Sequence, residues 1–274
     1  MTTPLLAPRS VGALLREWRQ RRKLSQLALA LAADVSQRHL SFVESGRTRP
    51  SREMVLRLAV QLQMPLRERN QLLLAAGFAP LYPERPLDDP ALGAVRAAVE
   101  RVLTAHEPYP ALAVDRHWTL VAANRAVAPF LAGASPALLA PPVNVLRLSL
   151  HPEGVAPRIV NYRQWRAHLL ERLHQQVAAS GDDTLAALYD ELRAYPPPAP
   201  SRMQSHMRHP PSVASDGAGL FVPLQLAVGD DDSEVLTFFS TTTVFGTPVD
   251  VTLAELALEC FFPGDAETAE RLRR

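Results

Sequence analysis

From Val11 the apolar positions Val11, Leu14, Leu15 and Trp18 recur at helical spacing, with Arg16, Glu17, Arg19 and Gln20 on the other face and Ser10 placed as a cap. This pattern predicts a first helix ending near Arg22 or Lys23, with Trp18 packed into a core. After Ser25 a short helix is expected from Gln26 to Ala33, then a turn at Asp34-Val35-Ser36, then a second helix from about Gln37 to Ser45 ended by Gly46. Leu27, Ala28, Leu31, Val35, Leu40 and Val43 are the apolar positions expected to lock these two helices together. Ser51 caps a further helix carrying Val55, Leu58, Ala59 and Leu62, and Pro65 starts a fifth that stops at Gly77. Five short helices around one small core make an all-α unit.

The rhythm breaks at residues 78–90, where four prolines predict a semi-rigid linker. Beyond it a helix starts near Pro90, followed by a strand over Ala111–Asp115, a hairpin partner over Thr119–Asn124, and a short helix over Arg125–Leu131 capped by Asn124. Val143–Leu150 is apolar around Arg147, Ile159–Ala179 reads as one long amphipathic helix, and Thr184–Tyr195 as another. Residues 196–217 hold too many prolines for a regular element and are expected to form a loop. Leu220–Val228 and Glu234–Val244 read as paired strands around an Asp230–Ser233 tip. A last helix is expected from Thr252 through Leu253, Leu256, Ala257 and Leu258, with Glu255 at capping-box spacing, and Asp265 caps a closing turn. The second part is therefore α+β, with four candidate strands. The expected division is residues 1–80, a linker and connecting helix over 81–105, and residues 106–274.

Charge sharpens that division. Residues 1–85 hold 14 Arg and Lys against 6 Asp and Glu, whereas the remainder holds 15 against 22. A basic first third joined to an acidic remainder suits one part that meets a polyanion and another that does not. At 47% hydrophobic and 21% charged the composition is that of a globular chain rather than a disordered one. The single cysteine, Cys260, excludes an intrachain disulfide and fits a reducing compartment; with no long apolar run, a cytoplasmic protein without membrane partners is expected.

The second short helix of the first unit keeps Ser36, Gln37, Arg38, His39 and Ser41 polar above an apolar underside, the arrangement that a DNA major groove accepts. Gln37 and Arg38 are the candidate base readers, Ser36 and Ser41 shorter-range contributors, and Gln26 a contact to a phosphate or flanking base. Arg47, Arg49 and Arg52 follow where the chain returns along a phosphate backbone, and Glu44 is expected to pair with an arginine of the same unit. Residues 10–78 resemble the DNA-binding domain of the XRE family, shared with the phage repressors. The resemblance rests on Leu24-Ser25-Gln26, on Val35, Ser36, Leu40, Ser41, Val43, Glu44 and Gly46, and on Arg47, Arg49, Pro50 and Ser51. His39 and Phe42 depart from its usual small or polar residues. It implies a λ-repressor-like helix-turn-helix fold and double-stranded DNA as partner. A single short helix reads few base pairs, so a homodimer is expected.

Three stretches of the second part, Ala113–Ala126, Asn144–Tyr162 and Phe238–Asp265, resemble the ligand-binding domain of the MmyB-like transcription regulators. This resemblance implies a PAS-like fold that holds an apolar or fatty-acid-like small molecule and needs no other cofactor. Aromatic and apolar residues expected at such a pocket are Phe130, Leu146, Tyr162, Trp165, Leu169, Phe238 and Phe245, with Arg147, His151 or Arg158 meeting a polar head.

Catalytic chemistry finds little support. The chain has no H-E-x-x-H, no G-x-S-x-G and no glycine-rich phosphate loop, its histidines show no metal-ligand spacing, and Cys260 sits in an apolar run. A ligand-responsive transcription regulator is the leading reading. The alternatives are a DNA-binding protein whose second domain serves only dimerisation or partner docking, and an enzyme that carries a helix-turn-helix.

Overall fold

A computed structural model describes residues 9–198, 222–228 and 234–273. The chain divides into two compact units, Met1–Pro86 with Thr247–Ala254, and Leu87–Gly246 with Glu255–Arg274.

The first unit contains α1 (Val11–Arg21), α2 (Gln26–Ala32), α3 (Gln37–Glu44), α4 (Arg52–Gln61) and α5 (Leu66–Ala75). Ser10, Ser25, Ser36 and Ser51 each cap the helix that follows, accepting a backbone N–H three residues on. Gly46 and Gly77 take positive φ just past helix ends, where a side chain is strained. Leu15, Trp18, Leu29, Leu40, Val43, Leu58 and Leu73 lie in one core. Within α2 the core takes Leu29 and Ala30, and just beyond it Ala33, whereas Leu27 and Leu31 are exposed, 51% and 72% respectively. The buried stripe is therefore not the Leu27, Ala28 and Leu31 stripe that the sequence suggests. Leucine alternates with alanine in QLALALA, so the pattern admits either face, and the angle of α2 against α3 decides. Thr247–Ala254 packs in this unit: Arg85 pairs with buried Asp250 at 2.9 Å, and Val251 N donates to Pro83 O at 2.8 Å.

The second unit is built on a five-stranded antiparallel sheet in the order β2-β1-β5-β4-β3. Its strands are β1 (Ala111–Val114), β2 (Leu120–Ala123), β3 (Leu224–Val228), β4 (Glu234–Val244) and β5 (Ala257–Pro263). Helix α6 (Gly93–Ala105) covers one face through Val99 and Leu103, against Ala111, Ala113, Leu258 and Cys260. After the single-turn α7 (Pro136–Leu139), the other face meets α8 (Val145–Leu150), α9 (Tyr162–Ser180) and α10 (Asp183–Ala194), the last two packed through Leu169, Leu173, Leu185, Leu188 and Leu192. Gly181 ends α9 with φ +65, and Asp182 at once caps α10, accepting from Thr184 N and Leu185 N.

Two expectations are corrected. The last helix from Thr252 is only the turn Val251–Ala254, and Ala257–Pro263 is β5, the central strand, which also carries Cys260. Being covered on both faces, β5 is apolar without alternation, and Ala-Leu-Glu reads as helix former when taken locally. Asn124 does not cap the following 3-10 turn, Arg125–Leu131, with its side chain. It accepts from Ala111 N and donates to Leu103 O and Tyr109 O, tying α6 to β1. Most of the proline-rich loop, the start of the Leu220–Val228 strand and the Asp230–Ser233 tip lie outside the described residues.

Candidate DNA-reading helix and ligand cavity

Helices α2 and α3 are separated by a turn in which Asp34 takes φ +53, and Val35 N returns to Ala30 O. This places Ser36, Gln37 and Arg38 exposed at the start of α3, with Ser41 half-buried one turn on. The Arg38 and Arg47 guanidinium carbons lie 5.4 and 5.8 Å from the Phe42 ring centre, so the unexpected aromatic carries two cations beside the helix. Arg47, Arg49 and Arg52 are exposed. Gln26 donates its amide to Glu44 Oε2 at 2.8 Å, which fixes its side chain at the first turn of α2. Glu44 in turn accepts from Arg19 at 2.7 and 2.9 Å. Burial pushes the Glu44 carboxyl up, but the hydrogen bonds from Arg19 and Gln26, with the charges of Arg19 and Arg16, outweigh it and hold the group below the usual glutamate range. The C-terminal end of α3 is thus pinned by a charged pair buried in its own unit.

In the second unit a cavity of about 140 Å³ lies between the sheet and the helices. Of the residues expected at a pocket, Phe130, Leu146, Trp165, Leu169 and Phe238 line it. Phe130 and Phe238 meet edge to face, ring centres 5.6 Å apart. Tyr162 is buried nearby and donates to Leu150 O at 3.3 Å, and Phe245 packs with the cluster on the α6 face. The three candidate head-group residues fall in three places. Arg147 is held by Glu191 in a two-point pair at 2.8 and 2.7 Å, and His151 stands against the Tyr195 ring at 5.0 Å. Arg158 lines a wider, adjoining cleft.

The cavity wall also carries residues that the sequence did not single out: Trp118, Arg172, Ser240 and Glu259. Arg172 and Glu259 pair at 2.6 Å, with Glu259 5% exposed, and the guanidinium lies 4.6 Å from the Trp118 ring centre. Thr242 joins the pair, accepting from Arg172 at 2.7 Å and donating to Glu259 at 2.9 Å. The indole N–H groups of Trp118 and Trp165 already donate to Gln176 and Ser149. The two charges on the wall pair with each other, and the rest of the lining is mostly apolar. Arg172 and Glu259 lie 87 residues apart, and no local spacing announces them.

Burial pushes the Cys260 thiol up, away from the reactive thiolate, and no metal-holding cluster of three His, Cys, Asp or Glu occurs among the described residues. No helix among them is long and apolar enough to cross a membrane.

Comparison with known proteins places both units. Residues 15–69 match a helix-turn-helix family model, and residues 95–274 match that of the MmyB-like transcription regulator ligand binding domain. No curated protein matches the chain. The crystal structure of the clp gene regulator ClgR from Corynebacterium glutamicum is 26% identical over 39% of this chain and 99% of that one, with a TM-score of 0.23. With the second family model spanning most of the chain, the helical unit before it in sequence and the PAS-like curled sheet within it, this protein belongs to the MmyB-like transcription regulators: a sequence-specific DNA-binding regulator with a ligand-binding domain after its helix-turn-helix.

Proposed function

We propose that α3 reads a DNA major groove through Gln37 and Arg38, and that a small apolar or fatty-acid-like ligand in the 140 Å³ cavity sets how tightly it does so. Gln37 suits adenine and Arg38 guanine, with Ser36 and Ser41 as shorter contributors. Gln26 meets the flank, and Arg47, Arg49 and Arg52 neutralise phosphates. The observation that carries the ligand is the cavity itself, apolar and walled by charges that are already paired. An apolar cavity of about 150 Å³ takes a benzene ring, so the buried part of the ligand is compact. Ligand and DNA are coupled only if the ligand binds the DNA-competent and incompetent states unequally.

The experiment is native mass spectrometry of the purified full-length chain beside its denatured mass, repeated for Leu146→Trp, which fills the cavity. A small molecule retained by the wild type and lost from the variant supports the reading; the same mass in both forms of the wild type, with no stabilisation by any apolar compound, refutes it.

The regulator acts in the cytoplasm as a homodimer, because one α3 covers only a few base pairs and two-fold symmetry doubles the reading across half-sites about one helical turn apart. Sedimentation at micromolar concentration, with and without DNA, checks this; a monomer under both conditions sinks it.

A further inference from the structure

Phe42 is the one aromatic residue of α3, and it takes no part in the core of its unit. Among the described residues it belongs neither to the buried cluster that holds Leu40 and Val43 nor to the apolar layer packed against that cluster. Side chains advance by about 100° per residue around a helix. Leu40, Val43 and the buried Glu44 therefore share one side of α3, and Arg38, Phe42 and Ser45 stand on the opposite one. An aromatic ring at the centre of the outward face of a reading helix has no packing role to explain it.

The ring is half-buried and flanked by two cations, the guanidinium carbons of Arg38 at 5.4 Å and Arg47 at 5.8 Å from its centre. Its backbone is held as well: Phe42 O accepts from Arg47 N at 2.8 Å, from Thr48 N at 3.2 Å and from the Ser45 hydroxyl at 3.2 Å. The turn that leaves α3 thus closes on the Phe42 carbonyl and brings Arg47 back beside the ring. The two arginines suit guanine and phosphate, whereas the ring offers no donor or acceptor to a base. On the major-groove edge of the four bases the apolar group is the C5 methyl of thymine. A polar edge pressed against the ring loses its hydrogen bonds to water and gains none, so the ring selects against it.

We propose that Phe42 is a specificity-determining residue that reads the C5 methyl of a thymine close to the guanine bound by Arg38. This rests on α3 being the DNA-reading helix. Four residues along a helix advance about 6 Å, and successive bases lie about 3.4 Å apart along the duplex. The thymine therefore lies within one or two base pairs of the guanine. A ring that served only to hold Arg38 and Arg47 in place would treat thymine and uracil alike.

The test starts from a DNA site selected from a random pool by the full-length protein. Each thymine of the site is replaced in turn by uracil, which removes the methyl and nothing else, and the dissociation constant is measured by fluorescence anisotropy. One replacement, within two base pairs of the guanine that Arg38→Ala no longer distinguishes, is expected to weaken wild-type binding about fourfold, the scale of burying one methyl group. Phe42→Ala is expected to bind the thymine and uracil forms of that site equally. A wild type indifferent to every replacement, or a loss that persists in Phe42→Ala, overturns the proposal and leaves α3 standing as the reading helix. Failure to select any site overturns both. The wild type supplies a second measurement that needs no variant. With 5-iodouracil at the sensitive position, iodine stands where the methyl stood, and irradiation should crosslink the DNA to Phe42. A crosslink to any other residue contradicts the assignment.

Discussion

Arg19 of α1 grips Glu44 of α3 through two hydrogen bonds, Nε to Oε1 at 2.7 Å and Nη2 to Oε2 at 2.9 Å, with side chains only 11% and 3% exposed. The pair fixes the C-terminal turn of the reading helix to the first helix of the bundle. Removing one partner leaves the other charge buried, so Glu44→Ala is expected to cost about 3 kcal/mol. Thermal denaturation measures it. The folded pKa of Glu44 lies below its ordinary value of 4.5, so its contribution is complete above that value and is lost as pH falls through the lower, folded one. The stability gap between wild type and Glu44→Gln should therefore narrow on acidification below pH 4.5. A gap that stays constant down to pH 3 contradicts this.

Arg38 is exposed at the start of α3, free of any ion pair among the described residues, with Phe42 beneath it. Arg38→Ala should weaken binding to a selected DNA site by about 1–3 kcal/mol and binding to random DNA hardly at all. Arg49→Ala should weaken both and flatten the salt dependence. Fluorescence anisotropy across a salt series distinguishes the two. Equal losses for Arg38→Ala on both DNAs would make it a phosphate contact.

Gly12 lies where α1 crosses α3. A Cβ there falls 2.4 Å from Val43 O and 2.6 Å from Glu44 O, both of them backbone atoms that cannot swing away. Gly12→Ala is expected to push α1 off α3 and cost about 1–3 kcal/mol, despite alanine's better helix propensity. A melting temperature at or above that of the wild type would contradict the close crossing.

The Arg172–Glu259 pair on the cavity wall makes an asymmetric prediction. Glu259→Ala leaves a guanidinium uncompensated and should cost about 3 kcal/mol, whereas the double change Arg172→Met with Glu259→Leu should recover most of that. Chemical denaturation of the three forms decides. If the double variant is as unstable as Glu259→Ala, the pair does more than neutralise itself.

What could be read from the sequence was what is local. Serine caps, helix-stopping glycines and the Val35-to-Gly46 spacing lie within single elements, so the five helices and the start of α3 were legible. β5 was not, because a strand covered on both faces has no period of two, and Ala257-Leu258-Glu259 resembles a helical turn. Leu27 and Leu31 read as inward yet are exposed, because α2 alone does not say which leucine stripe meets α3. At the cavity, Leu146 and Phe238 read as apolar from the sequence alone, and it is the fold that sets them on one wall. That Glu191 already holds Arg147 was not legible, because the fold rather than spacing brings the two together.

The central claim is that occupancy of the inner cavity changes the affinity of α3 for DNA. It is tested most directly by the dissociation constant of delipidated full-length protein for a selected DNA site, measured with and without saturating 4-phenylbutyrate or octanoate, in wild type and in Leu146→Trp. A ligand that couples should shift the wild-type constant by about fivefold or more. The filled variant should show one constant, indifferent to ligand. A ligand that binds the wild type yet leaves its DNA affinity unchanged, or one that shifts both proteins equally, would contradict the account.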